Sequence, residues 1–279
     1  MTKIALLGAG GKMGVRLASN LVGSVYDVDY VEISEAGKAR LHDAIGARCT
    51  DQASALESAD VVILAVPDKL IGTILKTFVS DLRPGTAVIM LDAAAPHAGD
   101  LPERGDVTYF VTHPCHPPLF NEETDMAAKT DYFGGDKARQ HIVCALMQGP
   151  DGHYKMCEDI ARTFYKPVMR SHRCTVEQLA ILEPALSETV GATLALALRK
   201  ATDKAISMGV PKQAAMDFIQ GHLNIELAVA FEAFPEGRFS DGALQAIDEA
   251  EPEIFKDGWL DRVFAPEAVL ASVKRICKP

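Results

Sequence analysis

Two histidines, three residues apart, lie in the segment whose residue types are best suited to chemistry. The segment spans residues 112–121 and reads Thr-His-Pro-Cys-His-Pro-Pro-Leu-Phe-Asn. Its three prolines restrict the backbone and hold the two imidazoles in one orientation. A neutral imidazole with a pKa of about 6.5 can accept a proton or bind a metal. We expect His113 to be a proton acceptor or substrate anchor and His116 to bind a metal or a carboxylate; the alternative is a structural role for both.

A glycine-rich loop is the second chemical feature. Residues 8–14 read Gly-Ala-Gly-Gly-Lys-Met-Gly and connect a strand-like apolar run, 4–7, to a helix-like stretch, 15–22. Loops of this type bring the N–H groups of a helix N-terminus close to the diphosphate of a dinucleotide. Met13 takes the place of the third glycine in the common GxGxxG spacing, whereas Gly8, Gly11 and Gly14 complete a three-residue spacing. An ordinary tight turn is the alternative.

An acidic residue lies where the same motif requires one. Glu32 comes eighteen residues after Gly14, at the end of the strand-like run 29–33, and could bind the adenosine ribose hydroxyls. Because no arginine follows at once, and Lys38 and Arg40 are expected on the next helix, the pattern favours NAD over NADP. Glu32 could instead cap a loop. The residues predicted to bind the cofactor are Gly8, Gly10, Gly11, Lys12, Met13, Glu32, Pro67 and Asp68.

The elements around these residues predict an α/β fold. Residues 59–67 form a continuous apolar run typical of a buried parallel strand, which we number as the fourth, and Asp68 follows at its carboxyl end. Runs at 87–92 and 107–112, the latter numbered sixth, repeat the pattern, and the runs 142–147 and 167–170 flank a helical stretch, 154–165. The prediction is an N-terminal Rossmann domain, a doubly wound parallel sheet, over residues 1–172.

The remainder of the chain, residues 173–279, predicts an all-α domain for substrate binding and dimerisation. A long helical region covers 176–208, and Pro184 either kinks it or begins a new helix. Residues 190–198 are apolar or small on every side, so we expect them to pack between the subunits of a homodimer as well as within one subunit. Further helices are expected over 211–234 and 265–276.

Composition narrows the class of protein and partner. The chain has 279 residues, a formal net charge of −10 and 48% hydrophobic residues. An acidic chain with dispersed cations argues against nucleic acid and anionic membranes as partners, but it permits an acidic small molecule. Six cysteines without a CxxC pair, no signal-like start and no apolar stretch of about 20 residues predict a cytoplasmic protein with reduced thiols.

Four of these features together resemble the 6-phosphogluconate dehydrogenase-like superfamily, and within it most closely the D-apionate oxidoisomerases. They are the glycine loop with Glu32, the Ala-Val-Pro-Asp strand end at 65–68, the segment 112–121 and the long helix after Thr175. The resemblance implies an NAD-dependent enzyme that oxidises an alcohol of a branched sugar acid and then rearranges its carbon skeleton. Hydroxyacid dehydrogenases of the superfamily carry a lysine and an asparagine on the long helix, whereas residues 188–199 have neither at that spacing.

The reaction itself suggests what replaces that lysine. His113 would take the hydroxyl proton as hydride leaves, and a divalent cation would stabilise the charge that moves in a ketol-type shift. Candidate metal ligands are His116 and Glu188. Glu183 is a candidate both as a further ligand and as a catalytic residue; zinc, manganese and magnesium remain open. Helix capping and ion pairing are the alternative roles of the two glutamates.

Three other functions compete with this one. They are a simple hydroxyacid or prephenate-type dehydrogenase, an NADPH-dependent reductase, and a non-catalytic NAD sensor.

Overall fold

The computed structural model describes residues 1–278. The chain forms two compact units. The first contains Met1–Ile181 and the residues from Leu270 onward, and the second contains Leu182–Val269.

A seven-stranded sheet forms the centre of the first unit. Its strands are β1 Lys3–Leu7, β2 Asp27–Val31, β3 Val61–Leu64, β4 Ala87–Met90, β5 Thr108–Pro114, β6 Gln140–Gln148 and β7 Val168–Arg173. The spatial order is β2-β1-β3-β4-β5-β6-β7. Strands β1 to β5 are parallel, β6 is antiparallel to β5, and β7 is parallel to β6. The predicted Rossmann fold is confirmed, with one antiparallel pairing inside the sheet.

Two details of the predicted strand order are wrong. Residues 59–67 contain the third strand and residues 107–112 contain the fifth, because the segment between β2 and β3 is occupied by helices α2, Glu35–Ile45, and α3, Gln52–Ser58. The numbering error does not affect the site, because β3 still lies beside β1.

Helices cover both faces of the sheet. They include α1 Lys12–Leu21, α4 Ile71–Lys76, α5 Ala94–Ala98, α6 Met126–Lys129, α7 Asp151–Phe164 and α8 Val176–Ala180. Alternate residues of β3 point into separate cores: Ile63 packs with Leu17 and Phe164, whereas Leu64 belongs to the core on the other face. Burial of every residue of β3 and β4 explains their uninterrupted apolar sequences.

The second unit is helical. Its elements are a π-helical segment, Ile181–Ala192, and helices α9 Thr193–Ser207, α10 Lys212–Ala230, α11 Asp241–Ile254, α12 Trp259–Phe264 and α13 Pro266–Ile276, the last of which ends in the first unit. Pro184 lies inside the π-helical segment, so it does not begin a new helix. A wider helical turn tolerates the missing proline N–H. Helices α11 and α12 are absent from the sequence prediction.

The helical run Val176–Ser207 is long and apolar enough, by length and composition, to cross a membrane. The sequence reasoning found no such stretch, because it required continuous apolar residues and this run contains Glu183 and Glu188. A single helix that meets these criteria is by itself weak evidence for a membrane span.

Candidate active site

The glycine loop lies where β1 ends and α1 begins. Gly8 has a φ of +78°, and the Gly11 N–H donates to its carbonyl at 3.0 Å. A Cβ at Gly14 would lie 2.0 Å from that carbonyl oxygen, and a Cβ at Gly10 would lie 2.3 Å from the carbonyl oxygen of Gly37. Close backbone approach therefore requires glycine at these positions.

Helix α1 begins at Lys12, three residues earlier than predicted, with Gly11 as its N-cap. The first N–H groups of a helix have no intrahelical acceptor and can bind an anion. Because β1 lies between β2 and β3, the loop also occupies the point where the strand order reverses, which is where open α/β sheets bind their ligands.

Glu32 follows β2 and contacts this loop. Its Oε2 accepts a hydrogen bond from the Gly10 N–H at 3.1 Å, and its Oε1 accepts one from the Ser34 N–H at 2.9 Å. The carboxylate thus caps the loop, which was the alternative to ribose binding, and ribose binding stays a prediction. Arg40 lies on α2 as expected, but its Nε donates to the Gly10 carbonyl at 2.9 Å. The arginine is therefore closer to the loop than the sequence suggested.

The other residues predicted to contact the cofactor lie at the same edge of the sheet. Met13 is the second residue of α1 and packs against a core cluster. Pro67 and Asp68 follow β3, where Asp68 begins a short 3-10 helix, Asp68–Leu70. The side chain of Lys12 lies over the ring of Phe133, and the Lys12 Nζ is 4.7 Å from the ring centroid.

His113 is the sixth residue of β5 and is largely shielded from solvent. Its Nδ1 lies 2.8 Å from the carbonyl oxygen of Leu91. Since a carbonyl can only accept, Nδ1 carries the proton and Nε2 carries the lone pair. Burial lowers the pKa of His113, although the Leu91 carbonyl and the Asp92 carboxylate act in the opposite direction. The imidazole is therefore neutral near pH 7, as a proton acceptor must be.

Asp92 is a site residue that sequence reasoning missed. It is buried just beyond β4, and its Oδ1 accepts a hydrogen bond from the Ala94 N–H at 2.6 Å. One of its carboxylate oxygens lies within 4.8 Å of a ring nitrogen of His113. The available signal was its place at the carboxyl end of the apolar run 87–92, the same position that singled out Asp68.

His116 has a strained backbone and the same tautomer as His113. Its φ is +60°, a left-handed conformation that non-glycine residues rarely adopt and that is enriched at functional sites. Its Nδ1 lies 2.9 Å from the carbonyl oxygen of Phe133, so Nδ1 is a donor and, in the neutral ring, Nε2 carries the lone pair. The two imidazole centroids are 6.1 Å apart, with the rings nearly perpendicular.

Comparison with known proteins identifies the families that this chain resembles. Residues 3–96 match the family model described as NADP oxidoreductase, coenzyme F420-dependent, and residues 121–277 match that of the C-terminal region of decarboxylating phosphogluconate dehydrogenase. D-apionate oxidoisomerase of Rhizobium rhizogenes is 55% identical over 99% of this chain and 100% of its own, and that of Cupriavidus necator is 54% identical over 98% and 99%.

The chain belongs to the D-apionate oxidoisomerase family. A solved structure of a semialdehyde dehydrogenase NAD-binding protein from Cupriavidus necator, in complex with calcium and NAD, is also similar. It superimposes with a TM-score of 0.97, is 53% identical and covers 99% of both chains. The resemblance inferred from the sequence is confirmed.

The glutamates predicted to act in this oxidoisomerase site both lie on the π-helical segment of the second unit. Glu183 is partly buried and directly precedes Pro184, whereas Glu188 is exposed one turn later. π-Helical turns are frequent at functional sites. The catalytic role of Glu183 and the metal-binding role of His116 and Glu188 stay predictions.

In the first unit, the arrangement brings together what an alcohol oxidation requires. Two imidazoles, each of which in its neutral form has a lone pair on Nε2, lie at the carboxyl end of the sheet. Asp92 lies beside one of them. The helix start that can bind a dinucleotide is at the same edge. The site can therefore accept a hydroxyl proton while hydride is transferred to a cofactor.

Proposed function

We propose that the protein is an NAD-dependent oxidoisomerase that converts D-apionate, a branched sugar acid, into 3-oxo-isoapionate. The observation that carries the proposal is the full-length similarity to proteins named for this activity. The glycine loop and the neutral His113 provide the parts that the first step requires.

In the oxidation, the hydrogen on C2 leaves as hydride to the nicotinamide, and the C2 hydroxyl proton passes to Nε2 of His113. The product is a 2-oxo acid, the reduced cofactor and a protonated imidazole. A histidine kept neutral by burial suits this transfer, because the acceptor must be unprotonated when the hydroxyl arrives.

In the isomerisation, the C3 hydroxyl loses its proton and becomes a ketone, while a hydroxymethyl group migrates with its bonding electrons from C3 to C2. The former C2 carbonyl oxygen takes up a proton, so the rearrangement involves no net oxidation or reduction. His116, with its lone pair on Nε2, is positioned to exchange one of these protons or to bind a cation.

A divalent cation would suit this second step. The similar structure from Cupriavidus necator contains calcium. In the present protein, the buried carboxylate of Asp92 lies near His113, and the imidazole of His116, 6.1 Å from that of His113, would supply the nitrogen ligand, so that His113 keeps its role as proton acceptor. A mixed oxygen and imidazole donor set fits a divalent cation, which would stabilise negative charge on the substrate oxygens.

The proposed cofactor is NAD. It is bound in the similar structure, and Glu32 at the loop would repel the 2′-phosphate of NADP. A comparison of kcat/KM with the two cofactors tests the choice; a preference for NADP would favour the reductase alternative.

We further propose a cytoplasmic homodimer that binds a small sugar acid and neither nucleic acid nor membrane. Large apolar side chains of the second unit are exposed in the single chain, among them Leu196 at 62%, Phe218 at 67% and Phe231. An apolar cavity of about 440 Å³ is also lined by residues of α9 and α10. Apolar surface of this extent marks an interface. We retain the predicted division of the chain, in which residues 1–172 bind NAD and residues 173–279 dimerise and contribute to substrate binding alongside His113.

Product analysis tests the proposal. Purified protein with NAD⁺ and D-apionate should form NADH and a product whose NMR spectrum shows the hydroxymethyl branch on C2. An oxidised but unrearranged acid would select the simple dehydrogenase, and cofactor binding without turnover of any sugar acid would select the NAD sensor. Removal of metal by a chelator should abolish the rearrangement and leave NAD binding intact.

A further inference from the structure

Two cations lie over one half-exposed aromatic ring beside His116. The Nζ of Lys12 is 4.7 Å from the ring centroid of Phe133, and the guanidinium carbon of Arg16 is 5.0 Å from it. Lys12 and Arg16 are one turn apart on α1 and so share a helix face. The ring of Phe133 is 51% exposed and supports the cations by cation–π contact.

The loop that carries Phe133 is held in place by hydrogen bonds. The carboxylate of Asp131 accepts from four backbone N–H groups, those of Gly134, Asp136, Lys137 and Ala138. Arg16 Nη1 donates to the Gly134 carbonyl at 2.9 Å, and Asn20 Nδ2 donates to the Gly135 carbonyl at 2.8 Å. These hydrogen bonds hold the backbone of the loop, and thereby the Cα of Phe133, in a defined position.

Two cations lie close together here, in a protein whose formal net charge is −10. Within residues 1–278, neither Lys12 nor Arg16 forms an ion pair with a carboxylate. Asp131 is the acid that interacts electrostatically with Arg16, and its oxygens are already used by the four backbone donors. Among residues 1–278, neither cation therefore has a carboxylate in direct contact, and both can bind an anion.

The same loop also orients the imidazole. The carbonyl of Phe133 accepts from Nδ1 of His116, and the two rings are 6.0 Å apart. Phe133 thus contacts both the cation pair of α1 and His116, whose ring is 6.1 Å from that of His113.

We propose that Lys12 and Arg16, supported by Phe133, bind the carboxylate of the sugar acid whose C2 hydroxyl is oxidised at His113. This inference rests on the proposed function, because it identifies where that substrate's charged end binds. The backbone N–H of Lys12 belongs to the start of α1 and stays directed to the cofactor diphosphate, whereas its side chain serves the substrate.

Lys12→Met tests the subsite, because it removes the charge and keeps the apolar stem over Phe133. We expect kcat/KM for D-apionate to fall about 10- to 100-fold, the loss of a charge-assisted hydrogen bond. The uncharged C1 amide of D-apionate should react equally with both proteins, and the Kd for NAD⁺ should change less than about twofold. Arg16→Lys, which keeps the charge, should retain more activity than Arg16→Gln.

Lys76→Met is the matched control. Lys76 is exposed in the last turn of α4, and α4 runs from the carboxyl edge of the sheet toward the opposite edge, so this variant should behave as wild type. An equal loss of kcat/KM for the acid and the amide would overturn the subsite. So would a loss of NAD⁺ affinity as large as the loss of activity, since the cation would then serve the cofactor diphosphate.

A binding measurement separates failure of the subsite from failure of the proposed function. If wild-type protein does not turn over D-apionate, the proposed function fails. Calorimetry with D-erythronate, an unbranched sugar acid, and NADH-loaded protein still tests the subsite. Binding weakened about tenfold or more by Lys12→Met supports it, and binding that is absent or unaffected overturns it.

Discussion

Apolar residues of the two units differ in burial. In the first unit, the runs Val61–Leu64 and Ala87–Met90 are wholly buried between layers of helices. In the second unit, the comparably apolar run 190–198 is mostly exposed in the single chain, as are Phe218 and Phe231. The first unit therefore completes its own core, whereas the second exposes apolar surface in the single chain, as the proposed dimer requires. We therefore expect substitutions in the first unit to impair catalysis and substitutions in the second unit to impair assembly.

The largest expected effect concerns chemistry in the first unit. His113→Asn removes the proton acceptor and leaves a side chain of similar size. We expect kcat to fall about 10²- to 10⁴-fold, the usual contribution of a general base, with the Kd for NAD⁺ changed less than about threefold. Steady-state kinetics and fluorescence titration measure the two quantities. His42→Asn, on the exposed face of α2, is the control; a loss of NAD⁺ affinity equal to the loss of turnover would mean that His113 supports the fold.

The next effect concerns assembly through the second unit. Leu196→Glu places a charge in the exposed apolar surface of α9, so the dimer dissociation constant should rise about 30-fold or more. Analytical ultracentrifugation measures the change. Val25→Glu alters a similarly exposed apolar residue of the first unit and should leave the dimer intact. Unchanged association of Leu196→Glu, or a monomeric wild type, would contradict the proposed dimer.

A smaller effect, on the free energy of unfolding, is expected where an added Cβ would clash with the backbone and not where it would meet open space. Gly14→Ala would bring a Cβ within 2.0 Å of the Gly8 carbonyl oxygen, so unfolding free energy should fall by about 1–3 kcal/mol and NAD⁺ affinity should drop with it. Gly105→Ala meets no atom within 4 Å and should be neutral. Denaturant unfolding compares the two variants, and equal stabilities would show that the loop does not need its close approach.

The smallest effect is a shift in pH dependence. Only neutral His113 can accept the hydroxyl proton, so protonation on the acid side inactivates the enzyme. Because burial lowers the pKa of His113, the acid limb of kcat/KM should lie below the ordinary value of about 6.5 and should be absent in His113→Asn. If the acid limb of kcat/KM in the wild type lay above about 6.5, the titrating group would be a residue other than His113.

Local patterns made most of the first unit predictable. The apolar run of β1, the glycine loop and Glu32 follow one another in the chain, so their spacing alone identified a dinucleotide fold. The paired histidines were found in the same way, from residue type and flanking prolines. The left-handed backbone of His116 and the contact of its imidazole with the Phe133 carbonyl, seventeen residues away, were not predictable, because no local pattern signals either.

What sequence reasoning missed depends on contacts between distant segments. Asp92 became a site residue only because β4 lies beside β5, which places its carboxylate near His113. Helix α11, Asp241–Ile254, was also missed, and it continues through Pro252, a residue that usually ends a helix. The continuous helix through Pro184 required a π-helical turn that no local pattern predicts.

The central claim is that one active site both oxidises and rearranges a branched sugar acid. D-apionate labelled with ¹³C in its hydroxymethyl groups, incubated with the protein and NAD⁺ and followed by carbon NMR, tests it most directly. The account predicts one NADH for each product molecule and a labelled hydroxymethyl carbon newly bonded to C2. NADH formed with both labelled carbons still attached to C3 would contradict it.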